Sequence, residues 1–341
     1  MSRRAYVTYF DQRYLALAIV MLRSLRRWDP EASIFPLCFD GPSFAAAAAI
    51  PDPKIVPVSH AEILAFEPRL AACATRTRGA FYATHKPVLP LLVLARRPEL
   101  TSVMHVDADC CFHSPPASLF DEIGDASIAL SAHDFSPAFE ALIRCGPFNA
   151  GLIYWRNDAT GRRALADYRE DCLDWCEPHV DADGRFMNQG YLTRWPARYS
   201  GVHVIRHPGV NLAYWNIARR TLRASRPLTV DGQPLVCYHF SGLFLDPIGI
   251  WRTARREFGD NLRIATRAIY RPYLKTVART DRRLRRRDST LAALDTGWEK
   301  EGAPVGRGPW PRTLSGKIAR AAWLIVPGAR VEPQHPCRVP L

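Results

Sequence analysis

The sequence predicts an α/β fold: one mostly parallel central sheet flanked by helices, followed by a basic C-terminal extension. Three observations carry this. Short apolar segments of strand character alternate with segments of helical spacing through the first 250 residues, as in strands joined by crossover helices. Turn and cap residues fall between those segments rather than inside them. The charge is also divided: of a net +13, residues 252–341 hold +12, with 20 Lys and Arg against 8 Asp and Glu. We therefore read residues 1–250 as a near-neutral body and 251–341 as the extension, whose excess charge suits an anionic partner.

In chain order, Tyr6–Tyr9 reads as the first strand, and Ala18, Met21, Leu22, Leu25 and Trp28 follow with helical spacing. Ile34–Phe39 is a second strand, ended by the turn Asp40-Gly41-Pro42, and Lys54–Val58 is a third. Ser59 followed by Glu62 forms a capping box. Pro87 suits the first position of a helix reaching about Arg97, since its missing N–H costs nothing there. Val103–Val106, Ser127–Ser131, Leu152–Trp155, Val202–Ile205 and Leu235–Phe240 are further strands, and Asp158–Cys176 is a helix. Beyond Trp251 the pattern turns helical and basic, then irregular.

Several classes are disfavoured. The first strand is followed by neither GxGxxG nor GxxxxGK[ST], against a dinucleotide-binding dehydrogenase and a P-loop NTPase. Nine cysteines, an odd number without a CxxC pair, resemble neither a disulfide framework nor a zinc site. The N-terminus has no apolar run of signal-peptide length, and Leu15–Leu22 and Val88–Ala95 are too short to cross a bilayer. A cytoplasmic setting is expected, with membrane contact only from the surface.

The chemistry centres on VMHVDADCCFH, Val103 to His113. An apolar strand delivers Asp107-Ala108-Asp109 at its carboxyl end, where ligands of open α/β sheets gather. Residues i and i+2 of an extended chain point the same way, so Asp107 and Asp109 would offer two hard oxygen donors to one divalent cation.

With this motif in place, the chain resembles the retaining glycosyltransferases of the glycogenin and bacterial galactosyltransferase type, which share the type-A nucleotide-sugar fold. The resemblance rests on the opening VTYFDQRYLALAIVMLRSL, on Lys86-Pro87 in YATHKP, and on the DxD itself. It continues through FNAGLIYWRN, NQGYLTRWP, and the closing HPGVNLAYWN and CYHFSG. It covers residues 6 to about 245 and leaves the extension out. It implies a nucleotide-sugar donor, a UDP-sugar, and a saccharide or lipid-linked acceptor. Thr8 and Tyr14 would cradle uracil and ribose, and Asp11 would hydrogen-bond the base. Asp107 would touch ribose and metal, Asp109 would hold the metal, and His239 would be the third protein ligand. Lys86 would steady the pyrophosphate, and Asn149 and Gln189 would sit near the transferred sugar. An imidazole in the donor set favours Mn²⁺ over Mg²⁺, which prefers oxygen. Asn188 stands where the family usually has Asp, so either Gln189 offers an amide oxygen to the anomeric carbon or the reaction proceeds at the front face without a nucleophile, and a retaining outcome rests on the resemblance alone.

Other residues receive plainer expectations. His105 reads as a packed histidine, His113 as a surface residue, His85 as loop lining and His207 as part of a turn. Trp155 and Trp195 read as core, while Trp215, in a loop beside Asn211 and Asn216, is a candidate to stack on sugar. Asp134, just after a strand end, is a candidate donor-sugar contact. A sugar-nucleotide pyrophosphorylase is the alternative within the same fold, but TYFDQRY lacks that family's glycines. A nucleic-acid-binding protein using Arg282, Arg283, Arg285, Arg286 and Arg287 is the alternative outside it, with no accompanying motif. That arginine cluster, with the mixed basic and apolar segment 317–326, instead suits an anionic membrane surface.

Overall fold

The computed structural model describes residues 4–245, 251–253, 255–292 and 294. Its central sheet has seven strands: β1 (Arg4–Phe10), β2 (Ser33–Cys38), β3 (Val58–Ser59), β4 (Ser102–Val106), β6 (Ile128–Ala132), β7 (Phe148–Arg156) and β8 (Val202–Ile205). β5 (Cys110–Phe112) lies outside it. The order is β3-β2-β1-β4-β7-β6-β8. β1 pairs parallel with β2 and β4, whereas β7 runs antiparallel to both β4 and β6.

The core follows from the two-residue period of a strand. Along β1, Ala5 and Val7 face one layer, with Val88 and Leu92 of α5 (Val88–Arg96) and Leu165 and Tyr168 of α7 (Ala159–Asp174). Tyr6 and Phe10 face the other, with Leu15, Ala18 and Leu22 of α1 (Leu15–Trp28). A strand buried on both faces reads as a nearly continuous apolar run rather than an alternation, and β1 follows that pattern. The body also holds α2 (Gly41–Ala48), α3 (His60–Phe66), α4 (Arg78–His85), α6 (Ala117–Ile123) and the one-turn α8 (Trp195–Arg198). The Ser59–Glu62 capping box is present at α3, with both reciprocal bonds made.

Four expectations change. The third strand, expected over Lys54–Val58, is reduced to Val58–Ser59 plus one bridge between Ile55 and Ile34. Pro57 falls between the two and has no N–H to donate. Leu235–Phe240 contributes only Cys237–His239, which pairs with β5 rather than with the main sheet. α4 was not expected at all; Thr77 caps it by accepting the Ala80 N–H. His85 is therefore a buried helical residue, not a loop residue, with Nδ1 on the Phe81 carbonyl.

The helix Arg271–Arg287 lies along α1 through Tyr273, Leu274 and Val277, which share an apolar cluster with Leu17 and Val20. The segment 317–326 lies outside the described residues. Among the described residues, no helix is long and apolar enough to cross a membrane.

Candidate active site

A cavity of about 250 Å³ opens at the carboxyl ends of β1 and β4. The residues that form it arrive from distant parts of the chain: Asp11 after β1, Lys86 after α4, Asp107 and Asp109 after β4, Asn149 in β7, Gln189, and His239.

The DxD is not extended. β4 ends at Val106, and the Cys110 N–H bonds the Asp107 carbonyl at 3.1 Å, closing a turn over residues 107–110. The turn, not strand alternation, brings the two carboxylates together. The Asp107 N–H also donates to the Gly151 carbonyl of β7 at 2.8 Å, which fixes where the turn leaves the sheet. His239 reaches the pair from the Cys237–His239 strand: its Nε2 lies 3.1 Å from Asp109 Oδ1 and 3.9 Å from Asp107 Oδ2.

Asp107 is held from behind. Its Oδ1 accepts from Lys86 Nζ at 2.8 Å and faces His105 Nε2 at 2.7 Å. Burial opposes ionisation, but Lys86, and then His105, outweigh it and keep the carboxyl far below its ordinary range. Oδ2 is thereby left for the cavity side. Lys86 also donates to the Ala150 carbonyl at 2.8 Å. Its ammonium thus neutralises Asp107 in this structure, a duty not foreseen for it. His105 is packed, as expected, but it also orients Asp107; burial lowers its pKa to about 4, so it is a neutral donor.

The nucleoside-side candidates divide. Asp11 caps the turn into α1, with Oδ1 accepting from the Arg13 and Tyr14 N–H groups at 2.9 and 3.1 Å. Its Oδ2 accepts from Tyr82 OH at 3.0 Å, and Tyr82 stacks on Phe39 with ring centroids 4.0 Å apart. Asp11 and Tyr14 both line the cavity. Thr8 does not: its side chain is fully buried in the sheet, and its hydroxyl has no hydrogen-bond partner. Tyr82 escaped the sequence reading because α4 did; once YATHK is helical, Tyr82 lies one turn before Lys86 and on the same side.

At the sugar side, Asn149 and Gln189 both line the cavity. Gln189 Nε2 donates to the Cys145 carbonyl at 3.0 Å, and its Oε1 lies 3.4 Å from the Ala150 N–H. Asn188 also lines the cavity and donates to the Ala83 carbonyl at 3.1 Å. Asp134 is turned away, on Arg220 at 2.6 Å. Its neighbours His133 and Phe135 take the wall instead, ring-stacked 4.4 Å apart, with Trp215 edge-on to His133. Trp215 lines the cavity, and Trp155 and Trp195 are core. His113 is half-buried rather than a surface residue, and burial lowers its pKa to about 4.

Two carboxylates and an imidazole converging on one point fit a divalent cation that accepts mixed oxygen and nitrogen donors. Among the described residues, Asp109, Cys110 and His239 also form a geometrically possible group. Cys110, however, is enclosed in the apolar cluster of Phe10 and Leu15, and burial pushes its thiol well up, so Asp107 is the better third donor. Burial pulls His239 down, but Asp109 and Asp107 outweigh it and raise its pKa, the mark of an imidazole facing anionic charge. Gly151 makes the approach possible: a Cβ there would lie 2.4 Å from His239 Cε1.

The architecture and the cavity's position are those of a type-A nucleotide-sugar glycosyltransferase fold. The crystal structure of the galactosyltransferase LgtC, in complex with donor and acceptor sugar analogs, superposes with a TM-score of 0.51 at 16% identity, covering 81% of this chain and 95% of that one. In sequence, the chain is 32% identical over 249 residues to the uncharacterized protein YfnF of Bacillus subtilis strain 168, covering 70% of this chain and 81% of YfnF, and it belongs to that protein's family. It is also 29% identical over 248 residues to YfnD of the same organism, covering 72% of this chain and 79% of YfnD. No protein-family model matches the chain.

Proposed function

We propose that this protein transfers a sugar from a nucleotide-sugar donor, a UDP-sugar, to a saccharide or lipid-linked acceptor, with Mn²⁺ as the cofactor. The observation that carries the reading is the convergence of Asp107, Asp109 and His239 at a cavity that also collects Asp11, Tyr14, Asn149 and Gln189, on a fold shared with a galactosyltransferase. Asp11 and Tyr14 take the nucleoside end, and Asn149 and Gln189 take the sugar end. Asp107 Oδ2, Asp109 and His239 Nε2 hold the cation, which when bound supplies positive charge against the departing diphosphate. Transfer breaks the bond between the anomeric carbon and the diphosphate oxygen. It forms a bond from that carbon to an acceptor hydroxyl, whose proton is released. Lys86 keeps Asp107 ionised for this work, and the apolar wall of Phe135, Phe186 and Leu243 limits water at the reacting carbon. We assign Gln189 the place beside the anomeric carbon, since Asn188 carries no carboxylate, and a retaining outcome goes with that assignment.

A thermal-shift screen of UDP-, GDP- and CMP-sugars with and without Mn²⁺ tests the donor. Stabilisation by a UDP-sugar only with Mn²⁺, lost in Asp109→Ala, is expected; a response to no nucleotide sugar would refute the reading. For the acceptor surface, the helix Arg271–Arg287 brings Arg283 and Arg287 toward Arg23 of α1, and this clustered positive charge suits an anionic membrane. Binding to anionic vesicles that weakens with salt is expected, and full recovery in the supernatant at low salt would remove that part.

A further inference from the structure

Resting on the cation site just proposed, we infer that Asn211 is a positioning residue. It is the last member of an oriented hydrogen-bond chain that fixes the imidazole of His239 for metal binding. The chain begins at a fixed point. His133 Nδ1 lies 3.1 Å from the Gly146 carbonyl, which can only accept, so that nitrogen carries the proton. Burial lowers the pKa of His133 to about 3, so the ring is neutral and its Nε2 is an acceptor. Asn149 Nδ2 lies 3.2 Å from that Nε2, which turns the Asn149 amide so that Oδ1 faces away. A second fixed point agrees: the Gly151 N–H donates to Asn149 Oδ1 at 2.9 Å. Asn149 Oδ1 also accepts from Asn211 Nδ2 at 3.3 Å, and this turns Asn211 Oδ1 toward His239 Nδ1, 3.1 Å away. An amide oxygen only accepts, so His239 Nδ1 carries the proton, and Nε2 is the nitrogen directed at Asp109 and Asp107.

The Asn149 amide is thus set by a backbone N–H, and the Asn211 amide is set through Asn149, so neither is free to flip alone. Asn211 is held as firmly. It is buried, its backbone lies in the left-handed region at φ 54°, and its carbonyl accepts from Asn216 Nδ2 at 3.4 Å. Asn216 in turn bonds the His133 carbonyl at 3.1 Å, closing the far end of the chain onto the near one. A residue that neither lines the cavity nor touches either carboxylate therefore selects which imidazole nitrogen meets the cation. Partners of this kind orient metal-bound histidines, and losing one costs about 10- to 100-fold in metal affinity.

The test is Mn²⁺ titration of the full chain, read by the paramagnetic resonance of free Mn²⁺, for wild type, Asn211→Gly and Asn211→Asp. Both replacements suit a positive φ, so both are expected to fold, and thermal melting without metal checks this. Asn211→Gly removes the acceptor and is expected to bind Mn²⁺ about 10- to 100-fold more weakly. Asn211→Asp keeps an acceptor oxygen toward Nδ1–H but loses the donor to Asn149 Oδ1, so its affinity is expected to lie between that of wild type and that of Asn211→Gly. Wild-type affinity in Asn211→Gly, or equal loss in both variants, overturns the positioning role while leaving the cation site standing. A wild-type chain with no affinity for Mn²⁺ overturns the cation site and the positioning role together.

Discussion

Gly151→Ala should disable the cation site without touching a ligand. A Cβ at residue 151 would fall 2.4 Å from His239 Cε1, 2.8 Å from its Nδ1 and 2.7 Å from Asn149 Oδ1. Ordinary contacts begin near 3.4 Å, so the ring or the strand must retreat by about 1 Å. The ring has little room: Trp215 stands edge-on to it with centroids 5.3 Å apart, and Asn211 holds Nδ1. If β7 moves instead, it carries the Gly151 carbonyl that anchors the Asp107 N–H, so the carboxylates shift relative to the imidazole. Either way the donor set opens by about 1 Å, and a misplacement of that size costs about 100-fold in turnover. Overpacking itself costs about 1–3 kcal/mol, which leaves a folded protein. The assay pairs Mn²⁺ affinity and kcat/KM for donor turnover with a melting curve. Wild-type Mn²⁺ affinity and turnover in a folded Gly151→Ala protein would refute the reasoning.

Lys86→Met leaves the Asp107 carboxylate without its cation, and about 3 kcal/mol of stability should be lost, near the low end for breaking a buried pair because Asp107 remains partly exposed; a denaturation midpoint equal to wild type would show that the pair contributes nothing. Acid should unfold the protein early. Burial lowers His85 and His133 to about 3 and His105 and His113 to about 4. The unfolded chain therefore binds more protons than the folded one below pH about 6.5, and each histidine removes up to about 1.4 kcal/mol per pH unit as pH falls toward its folded value. Burial lowers His60 and His207 as well, so His239, shifted up, works in the opposite direction as one against six. Urea midpoints at pH 7.5, 6 and 5 should fall in step, and a flat series would contradict the neutral burial of these rings. Tyr14→Ala should raise the donor's dissociation constant while sparing Mn²⁺ affinity; a donor affinity equal to wild type would move the nucleoside elsewhere.

Some of this was written locally. β1, β4 and α1 are found from apolar runs and helical spacing because strands buried on both faces and amphipathic helices repeat at fixed intervals. The capping box at Ser59 and the position of Asp107 and Asp109 beyond a strand end are equally local, since they depend on residues three or fewer apart. Asp107 and Asp109 are joined by their spacing at a strand end, whereas His239, Asn149 and Gln189 come only from the resemblance of their segments to those of a known family.

What only the tertiary structure decided is how those segments meet. The DxD carboxylates converge through a turn tied to Gly151, a residue 44 positions beyond Asp107 whose missing side chain matters only once His239 lies against it. Thr8 and Asp134 looked suited to the site from their positions near strand ends, but one side chain faces into the sheet and the other turns onto Arg220. Neither outcome has a local signal, because the direction of a single side chain at a strand end depends on what packs beside it. Lys86 and His105 converge on one oxygen of Asp107, and His133, Asn149 and Asn211 orient His239, through bonds between residues up to 62 positions apart. Periodicity specifies which face of an element is buried, whereas the protonation and orientation of a buried polar group are set by the partner the fold places against it.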